Sequence, residues 1–346
     1  MQNIEMSDIK FVVRVECMTY NQAPYIEDAL NGFTKQQTSF PFICTIMDDA
    51  STDGEPEVIK KYLNDHFDLA DKSIVRWEET EDFTLIFVRH NTNLNCYFAV
   101  FLLKYNHYRK KDKASYLREW AEIKYIAFCE GDDYWLDPLK LHKQVEFLET
   151  RREYGMCYTW SRVYIHNTGK YSDYIAGIES PESFKDMLLL EPPITLTSLL
   201  RSDLYRQYYH EIKPQKRAWL MGDTPLWLWF AANSKIKVLR EITAVYRELP
   251  NSASHSNDVE SLKKFNLSAR EIRIFFCDKY PKLGAHLKQE VYRAYYRNNM
   301  MYAYRLSNLS WYFQNLLNIG FTKIKKRDMK LLFRLLQNKW ASSLSV

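Results

Sequence analysis

Three short apolar segments of this chain each end abruptly in a run of oxygen-bearing side chains. Residues 11–18, 42–47 and 125–129 have the composition of buried strands, and the runs that follow them are Thr-Tyr-Asn, Asp-Asp-Ala-Ser-Thr-Asp-Gly and Glu-Gly-Asp-Asp. Apolar residues at helical spacing follow the first two runs, over residues 24–37 and 55–67. Strands that alternate with helices predict an α/β domain around a mostly parallel sheet.

The position of the polar runs predicts where such a domain binds its ligand. In an open parallel sheet, ligands occupy the crevice outside the carboxyl ends of the strands. All three runs fall at predicted carboxyl ends, so they should line one crevice. The sequence therefore predicts an oxygen-rich site there, which includes the adjacent carboxylates Asp48-Asp49 and Asp132-Asp133.

The rest of the chain extends this pattern and then changes character. We predict strands at 84–88, 156–165 and 236–239, and helices at 94–108, 138–149 and 224–232. Residues 109–122 form a polar insertion, and successive helices follow residue 256. We therefore expect an α/β domain over residues 1–256 and an α-helical C-terminal region over residues 257–346.

Composition excludes several classes of protein. With 46% hydrophobic and 26% charged residues the chain is globular and not disordered. Residues 321–340 hold seven Lys and Arg against one Asp, so they account for the whole net charge of +5 and leave about −1 for the rest. The body of the protein therefore lacks the basic field of a nucleic-acid binder.

Cysteine and hydropathy patterns predict a cellular location. Six cysteines occur without a C-x-x-C pair, and four of them, Cys17, Cys44, Cys129 and Cys157, lie in apolar strand-like segments. The N-terminus lacks the pattern of a signal peptide, and no apolar run approaches the roughly 20 residues needed to cross a bilayer. We expect a cytoplasmic protein with reduced, buried thiols.

Each acidic run also has a purely structural interpretation. Asp, Ser, Thr and Gly are common in helix caps and turns, so residues 48–54 alone indicate little more than a turn. Asp132-Asp133 suits a hard cation such as Mg²⁺ or Mn²⁺, but it also suits a turn that opens the next helix. Asp223 likewise suits a helix N-cap, and the residues alone leave these alternatives open.

Taken together and in order, the segments are more specific. The chain resembles the family 2 glycosyltransferases with the GT-A fold through VVRVECMTYNQAPYIEDAL, FICTIMDDASTDG, KYIAFCEGDDYWLDPLKLHKQVEFLE, MGDTPLW and AVYRELPNSASHS. The resemblance covers residues 11–256 and implies a Rossmann-like, mostly parallel sheet flanked by helices. Ile123-Lys124 replaces the Gly-Lys that is common before the third strand, which affects loop geometry and not the acidic positions.

The resemblance implies which residues bind the donor, a nucleoside-diphosphate sugar. Thr19 and Tyr20 would line the nucleotide pocket at the end of the first strand. Asp49, with Asp48 beside it, would accept a hydrogen bond from the nucleobase, which we expect to be uracil. Asp132 would face the ribose.

The resemblance also implies a metal site and a catalytic base. Asp133 would hold Mn²⁺ or Mg²⁺ on the diphosphate, and His255 is a further candidate for that contact. Asp223 matches the family's base, which takes the proton of the acceptor hydroxyl. Trp135 and Arg247 are candidates for contact with the sugar or the acceptor.

These assignments imply an inverting transfer, because one base and one direct displacement invert the anomeric centre. The expected donor is a UDP-sugar, and the expected acceptor is a glycan or a lipid-linked molecule in surface polysaccharide or lipopolysaccharide assembly. A nucleotide-sugar pyrophosphorylase is an alternative, although VECMTYNQAP stands where that class has a Gly-rich loop. A membrane or nucleic-acid adaptor is another, although it would not need these aspartates.

The basic C-terminal segment predicts an amphipathic helix. One face would carry Met329, Phe333, Leu336 and Trp340, and a neighbouring strip would carry Lys323, Arg327, Lys330 and Arg334. An apolar strip beside a basic strip is typical of a helix that lies on an anionic membrane. We therefore expect peripheral contact with the inner face of the cytoplasmic membrane through residues 321–340; packing of the apolar face against other helices is the alternative.

Overall fold

The computed structural model describes residues 9–71, 74–107, 116–117, 123–249 and 258–343, of which Phe321 and residues 338–343 are described without their side chains. The described residues divide into two compact units. The first lies within Met1–Glu182, Pro192–Gln215 and Ser234–Glu248, and the second within Ser183–Glu191, Lys216–Asn233 and Leu249–Val346. The second unit is therefore assembled from three separate stretches of the chain.

All the strands of the described residues belong to one sheet in the first unit. They are β1 (Val13–Thr19), β2 (Phe42–Asp48), β3 (Arg76–Glu79), β4 (Phe83–Arg89), β5 (Cys96–Leu103), β6 (Tyr125–Phe128), β7 (Tyr134–Trp135), β8 (Tyr154–Ile165), β9 (Lys170–Ala176), β10 (Ser198–Arg201) and β11 (Lys235–Glu248). The strand order is β3-β4-β5-β2-β1-β6-β10-β8-β11-β7, with β9 paired to β8.

The centre of the sheet is parallel, as the sequence predicts. β5, β2, β1 and β6 run in one direction, and β8 pairs in parallel with β11. Alternate residues of β2 enter two different cores, since Phe42, Cys44 and Ile46 pack in one cluster and Ile43 and Met47 in the other. A central strand with both faces buried explains the continuous apolar run in its sequence.

Helices pack on this sheet and are also found in the second unit. The first unit contains α1 (Ile26–Thr34), α2 (Glu55–His66) and α3 (Lys140–Thr150), and α5 (Ser202–Ile212) follows further along the chain. The second unit contains α4 (Phe184–Leu189), α6 (Asp223–Asn233), α7 (Val259–Lys279), α8 (Pro281–Gly284), α9 (Lys288–Arg305), α10 (Leu309–Ile319) and α11 (Lys326–Ser343). None of the described helices combines the length and apolar character needed to cross a membrane.

The structure corrects one prediction of secondary structure. The helix predicted at 94–108 is wrong, because Cys96–Leu103 forms β5, a buried strand between β2 and β4. Its sequence, CYFAVFLL, is apolar at every position, and a continuous apolar run fits a buried strand as well as a buried helix. In addition, the strand predicted at 236–239 continues to Glu248.

The cysteines of the chain are all described. Each of the six is buried and none forms a disulfide. Burial raises the pKa of the Cys17 and Cys129 thiols well above the ordinary value, and nearby carboxylates, Glu130 among them, act in the same direction. These thiols are therefore held protonated and unreactive.

Candidate functional site

The register of the sheet brings the three polar runs together. Thr19, the last residue of β1, pairs with Asp48, the last residue of β2. The backbone N–H of Asp49 donates to the carbonyl of Thr19 at 3.0 Å, and that of Gly131, after β6, donates to the carbonyl of Met18 at 3.2 Å. The ends of the three strands thus meet at one edge, where the sequence predicts the crevice.

A buried carboxylate joins the first two runs. Glu55, the first residue of α2, is fully buried, and its side chain accepts hydrogen bonds from the Gln22 backbone N–H at 2.8 Å and the Ser51 hydroxyl at 2.9 Å. The Thr19 hydroxyl also contacts this carboxylate. Burial raises the pKa of Glu55. Sequence analysis did not select Glu55, whose position directly after Asp-Gly indicates only the start of a helix.

Asp48 has an unused acceptor in a dry position. The residue is 1% exposed, and its Oδ2 accepts the backbone N–H of Ser51 at 3.2 Å. Its Oδ1 has no hydrogen-bond partner among the described residues, and burial raises the pKa of the carboxyl. Buried polar atoms are almost always paired, so this carboxylate oxygen is an exception at the end of β2.

Asp49 is held by a segment that sequence analysis did not select. Its Oδ1 accepts the backbone N–H of His107 at 2.8 Å, and its carbonyl accepts the side-chain amide of Asn106 at 3.1 Å. The His107 ring is buried, and its Nδ1 donates to the carbonyl of Tyr105 at 2.7 Å. No motif identifies His107, since the bond to Asp49 uses a backbone group that almost any residue supplies.

The acidic run after β6 is crowded and partly dry. Asp133 is buried, whereas Asp132 is half-buried. Burial raises the pKa of Asp133 well above its ordinary value, and repulsion from Asp132 and Glu130 adds to that effect. Burial also raises the pKa of Asp132. Gly131 is required in this turn, because a Cβ there would lie 2.3 Å from the Thr19 hydroxyl oxygen.

Arg247 holds this acidic loop in place. Its backbone N–H donates to Oδ1 of Asp133 at 2.7 Å, its Nη1 donates to the carbonyl of Asp132 at 2.7 Å, and its Nη2 pairs with Asp28. The guanidinium lies between the rings of Tyr25 and Tyr134, at 5.2 and 4.7 Å from their centres. These contacts give Arg247 a positioning role, so we do not retain it as a sugar contact.

Trp135 lies in the core and not on the surface. It is 4% exposed, it packs edge-on against Phe33 at 5.1 Å, and its Nε1 donates to the carbonyl of Leu196 at 2.9 Å. The ammonium of Lys140 lies 4.2 Å from the centre of its ring. With its ring and its donor both engaged, Trp135 is corrected from a candidate sugar contact to a core residue.

Tyr20 and His255 are two further residues predicted for the site, and of this pair the structure describes only Tyr20. Tyr20 follows β1 directly and has 46% of its surface exposed, so its ring is accessible next to Thr19. His255 lies outside the described residues, as does the surrounding segment 250–257.

Asp223 belongs to the second unit, where it begins α6. Its Oδ1 accepts the backbone N–H of Thr224 at 2.6 Å, and the helix that follows is buried from Thr224 to Phe230. Burial raises the pKa of Asp223, although the bonds from Thr224 and the charge of Arg273 act in the opposite direction. The side chain therefore bonds to the first turn of its helix, and its raised pKa suits a proton acceptor.

The acidic loop fits a divalent cation in its donor chemistry. No three His, Cys, Asp or Glu side chains form a complete metal cluster within the described ranges. However, Mg²⁺ and Mn²⁺ at phosphate sites commonly take one or two carboxylates and complete their coordination with phosphate and water. Burial raises the pKa of Asp132 and Asp133, and repulsion from Asp132 and Glu130 adds to the effect at Asp133; a bound cation would favour the ionised forms.

Comparison with known sequences identifies relatives of this chain. Residues 17–84 match the family described as glycosyl transferase family 2. An uncharacterized protein of Mycobacterium tuberculosis is 32% identical over 241 residues, which are 69% of this chain and 59% of that protein. An uncharacterized glycosyltransferase of Methanocaldococcus jannaschii is 22% identical over 270 residues, or 74% of this chain and 77% of the relative. The chain thus spans about three fifths of the mycobacterial protein.

Comparison with solved structures identifies the fold. The structure of S. aureus TarS residues 1–349 matches with a TM-score of 0.53 at 16% identity, over 93% of this chain and 83% of that one. A mannosyltransferase from Pyrobaculum calidifontis, solved with GDP-Man and Mn²⁺, matches with a TM-score of 0.50 at 13% identity, over 94% and 84%. At these identities the matches show the fold alone, and they confirm the predicted α/β class.

Proposed function

Because the chain has the GT-A fold and residues 17–84 match glycosyltransferase family 2, we propose that it is an inverting glycosyltransferase that uses a nucleoside-diphosphate sugar, expected to be a UDP-sugar. The observation that supports this best is the meeting of Asp48, Asp49, Asp132 and Asp133 at the carboxyl ends of neighbouring parallel strands. This is where an open α/β sheet binds its ligand.

We propose that the nucleotide binds at the end of β1 and β2. The carboxylate of Asp49 would accept the imide N–H of uracil, with Asp48 beside it and the ring of Tyr20 at the rim. Thr19 would line the pocket at the end of β1, and its contact with Glu55 holds the Thr19 side chain in place. Asp132, the more exposed of the acidic pair, would accept a ribose hydroxyl.

We propose that Asp133 holds Mn²⁺ or Mg²⁺, with His255 as a second candidate. The cation would stabilise the charge that develops on the leaving diphosphate. The contribution of the protein is orientation, since the Arg247 N–H fixes one oxygen of Asp133 and the Arg247 guanidinium fixes the loop.

We propose that Asp223 is the catalytic base. The acceptor oxygen would form a bond to the anomeric carbon as the bond from that carbon to the diphosphate breaks, and the hydroxyl proton would pass to the Asp223 carboxylate. Its raised pKa supports this role, because a base whose pKa lies closer to the working pH takes up a proton more readily.

The wider setting follows from the same proposal. A glycan or lipid-linked acceptor, and a role in surface polysaccharide or lipopolysaccharide assembly in the cytoplasm, fit the reaction but rest on the sequence resemblance. Contact with a membrane through residues 321–340 is part of the same proposal. None of these observations favours a pyrophosphorylase or a nucleic-acid adaptor.

The decisive experiment is a donor screen that measures release of the nucleoside diphosphate. UDP- and GDP-sugars are incubated with the protein and Mn²⁺ or Mg²⁺, with and without a panel of glycan and lipid-linked acceptors. We expect release from one donor class that needs the metal and is lost in Asp133→Ala. Asp173→Ala, at an exposed aspartate of β9, is the matched control and should keep wild-type release. If no donor is consumed, or if Asp133→Ala keeps full metal-dependent turnover, the proposed function is wrong.

A further inference from the structure

The C-terminal helix α11 exposes a strip of large apolar side chains. Met329, Phe333 and Leu336 recur at steps of four and three, and their exposed fractions are 49%, 62% and 41%. Side chains at these steps lie on one face of a helix over successive turns. The strip is therefore a continuous apolar surface and not a scatter of single residues.

A different face of α11 packs against α10 in the second unit. Leu332 and Leu335 are buried in a cluster with Trp311 and Leu316 of α10. The hydroxyl of Tyr312 donates to the carbonyl of Asp328 at 2.6 Å. The buried face of α11 therefore already packs against the second unit. Met329, Phe333 and Leu336 lie on another face and stay exposed to solvent, so packing does not explain why they are apolar.

A basic strip lies beside the exposed apolar one. Lys326, Arg327, Lys330 and Arg334 are all exposed, and they occupy the sector of the helix next to Phe333. The single acidic residue between 321 and 346 is Asp328, which is buried and lies 3.6 Å from Arg297. The exposed charge of this helix is thus of one sign.

We propose that this surface of α11 binds an anionic lipid bilayer in the plane of its headgroups. Met329, Phe333 and Leu336 would enter the boundary between headgroups and acyl chains, and the four basic residues would contact lipid phosphates. Charge complementarity selects the occupant, because a neutral protein surface would satisfy the apolar strip and leave the basic strip unpaired. The proposal is independent of the proposed sugar transfer.

The test is sedimentation of the full chain with vesicles of defined lipid. Phosphatidylcholine vesicles are compared with vesicles that also contain phosphatidylglycerol, at low and high salt. We expect the protein to pellet with the anionic vesicles at low salt and to stay in solution with the neutral ones. Removing a basic residue should weaken binding about fivefold, which corresponds to about 1 kcal/mol per cation near such a surface.

Substitution is a better test than truncation, because removal of α11 would expose Leu316 and Trp311. The apolar variant carries Met329→Gln, Phe333→Gln and Leu336→Gln, which keeps helix propensity and the buried leucines. The charge variant replaces the four basic residues by Gln. Leu283→Gln, at an exposed leucine of α8 in the same unit, is the control.

We expect both variants to lose vesicle binding while the control and the thermal unfolding temperature stay unchanged. If the triple variant unfolds, Phe333→Gln alone should still weaken binding about tenfold, because the lost burial is a large part of one aromatic side chain. Wild-type binding by Phe333→Gln and by the charge variant would overturn the proposal. Equal binding to neutral vesicles, or a dimer that Phe333→Gln dissociates in the absence of lipid, would also overturn it.

Discussion

The backbone N–H of Arg247 donates to Oδ1 of Asp133 at 2.7 Å, so the end of β11 is joined to the acidic loop after β6. The same residue reaches the carbonyl of Asp132 and the carboxylate of Asp28 with its guanidinium. One side chain and its backbone therefore set the position of both members of the acidic pair. The geometry of the proposed metal site depends on a residue more than a hundred positions away in the chain.

Asp133→Asn should lower activity without lowering stability. Because the folded state raises the pKa of Asp133, its ionised form costs stability once the pH exceeds the ordinary pKa, and that cost is absent from the Asn variant. The amide oxygen still accepts the Arg247 N–H. We therefore expect an unfolding temperature at pH 7, in EDTA, that equals or exceeds the wild-type value, with metal-dependent turnover reduced by at least about 100-fold. A less stable but active variant would contradict both assignments.

Arg247→Lys should weaken donor binding although it keeps the charge. Lysine cannot reach Asp28 and the Asp132 carbonyl together, and it lacks the planar guanidinium that lies over the rings of Tyr25 and Tyr134. We expect a loss of about 1–3 kcal/mol in unfolding free energy, measured by urea denaturation, and a higher KM for the donor. Arg240→Lys, at an exposed position of β11, is the matched control and should change neither quantity. A wild-type KM for the donor in Arg247→Lys would show that Arg247 does not position the donor site.

Asp223→Asn should slow turnover and leave donor affinity nearly unchanged. The amide keeps the size and the oxygen that accepts the Thr224 N–H but cannot take up the proton, so kcat should fall by roughly 10²–10⁴. The raised pKa of Asp223 also predicts that the acid limb of the kcat/KM profile lies above the pH of about 4 at which an exposed aspartate titrates. Activity should therefore fall as the pH drops through that raised value. An Asn variant with the wild-type rate would mean that another group is the base.

Lys140→Met should flatten the dependence of stability on pH. Lys140 is fully buried over the ring of Trp135, its Nζ donates to Gln144 at 2.8 Å, and burial lowers its pKa to about 7. Above that pKa and below 10.5, the unfolded chain binds one more proton at this side chain than the folded one, so stability rises with pH by up to about 1.4 kcal/mol per unit.

The measurement is urea denaturation of the wild type and Lys140→Met from pH 7 to pH 9. Lys60→Met, at an exposed position of α2, should keep the wild-type slope. An unchanged slope in Lys140→Met would show that the buried amine titrates as it does in the unfolded chain.

The location of the acidic runs could be predicted because it depends on local pattern and one general rule. Apolar segments that alternate with helices form a parallel sheet, and the carboxyl ends of parallel strands share an edge. Thr19, Asp48 and the Asp132-Asp133 pair therefore had to converge once the strands were recognised. The apolar run at 96–103 could not be assigned in this way, because a strand buried on both faces has no period that distinguishes it from a buried helix.

The sequence by itself thus determined the class of fold and the edge of the sheet where the carboxylates gather. Only the tertiary structure decided what each side chain contacts there. Trp135 is closed off by Phe33 and Leu196, and Arg247 is enclosed by Tyr25, Tyr134 and Asp28. Burial and pairing depend on residues that are distant along the chain and adjacent only after folding, whereas strand and helix patterns are properties of short segments.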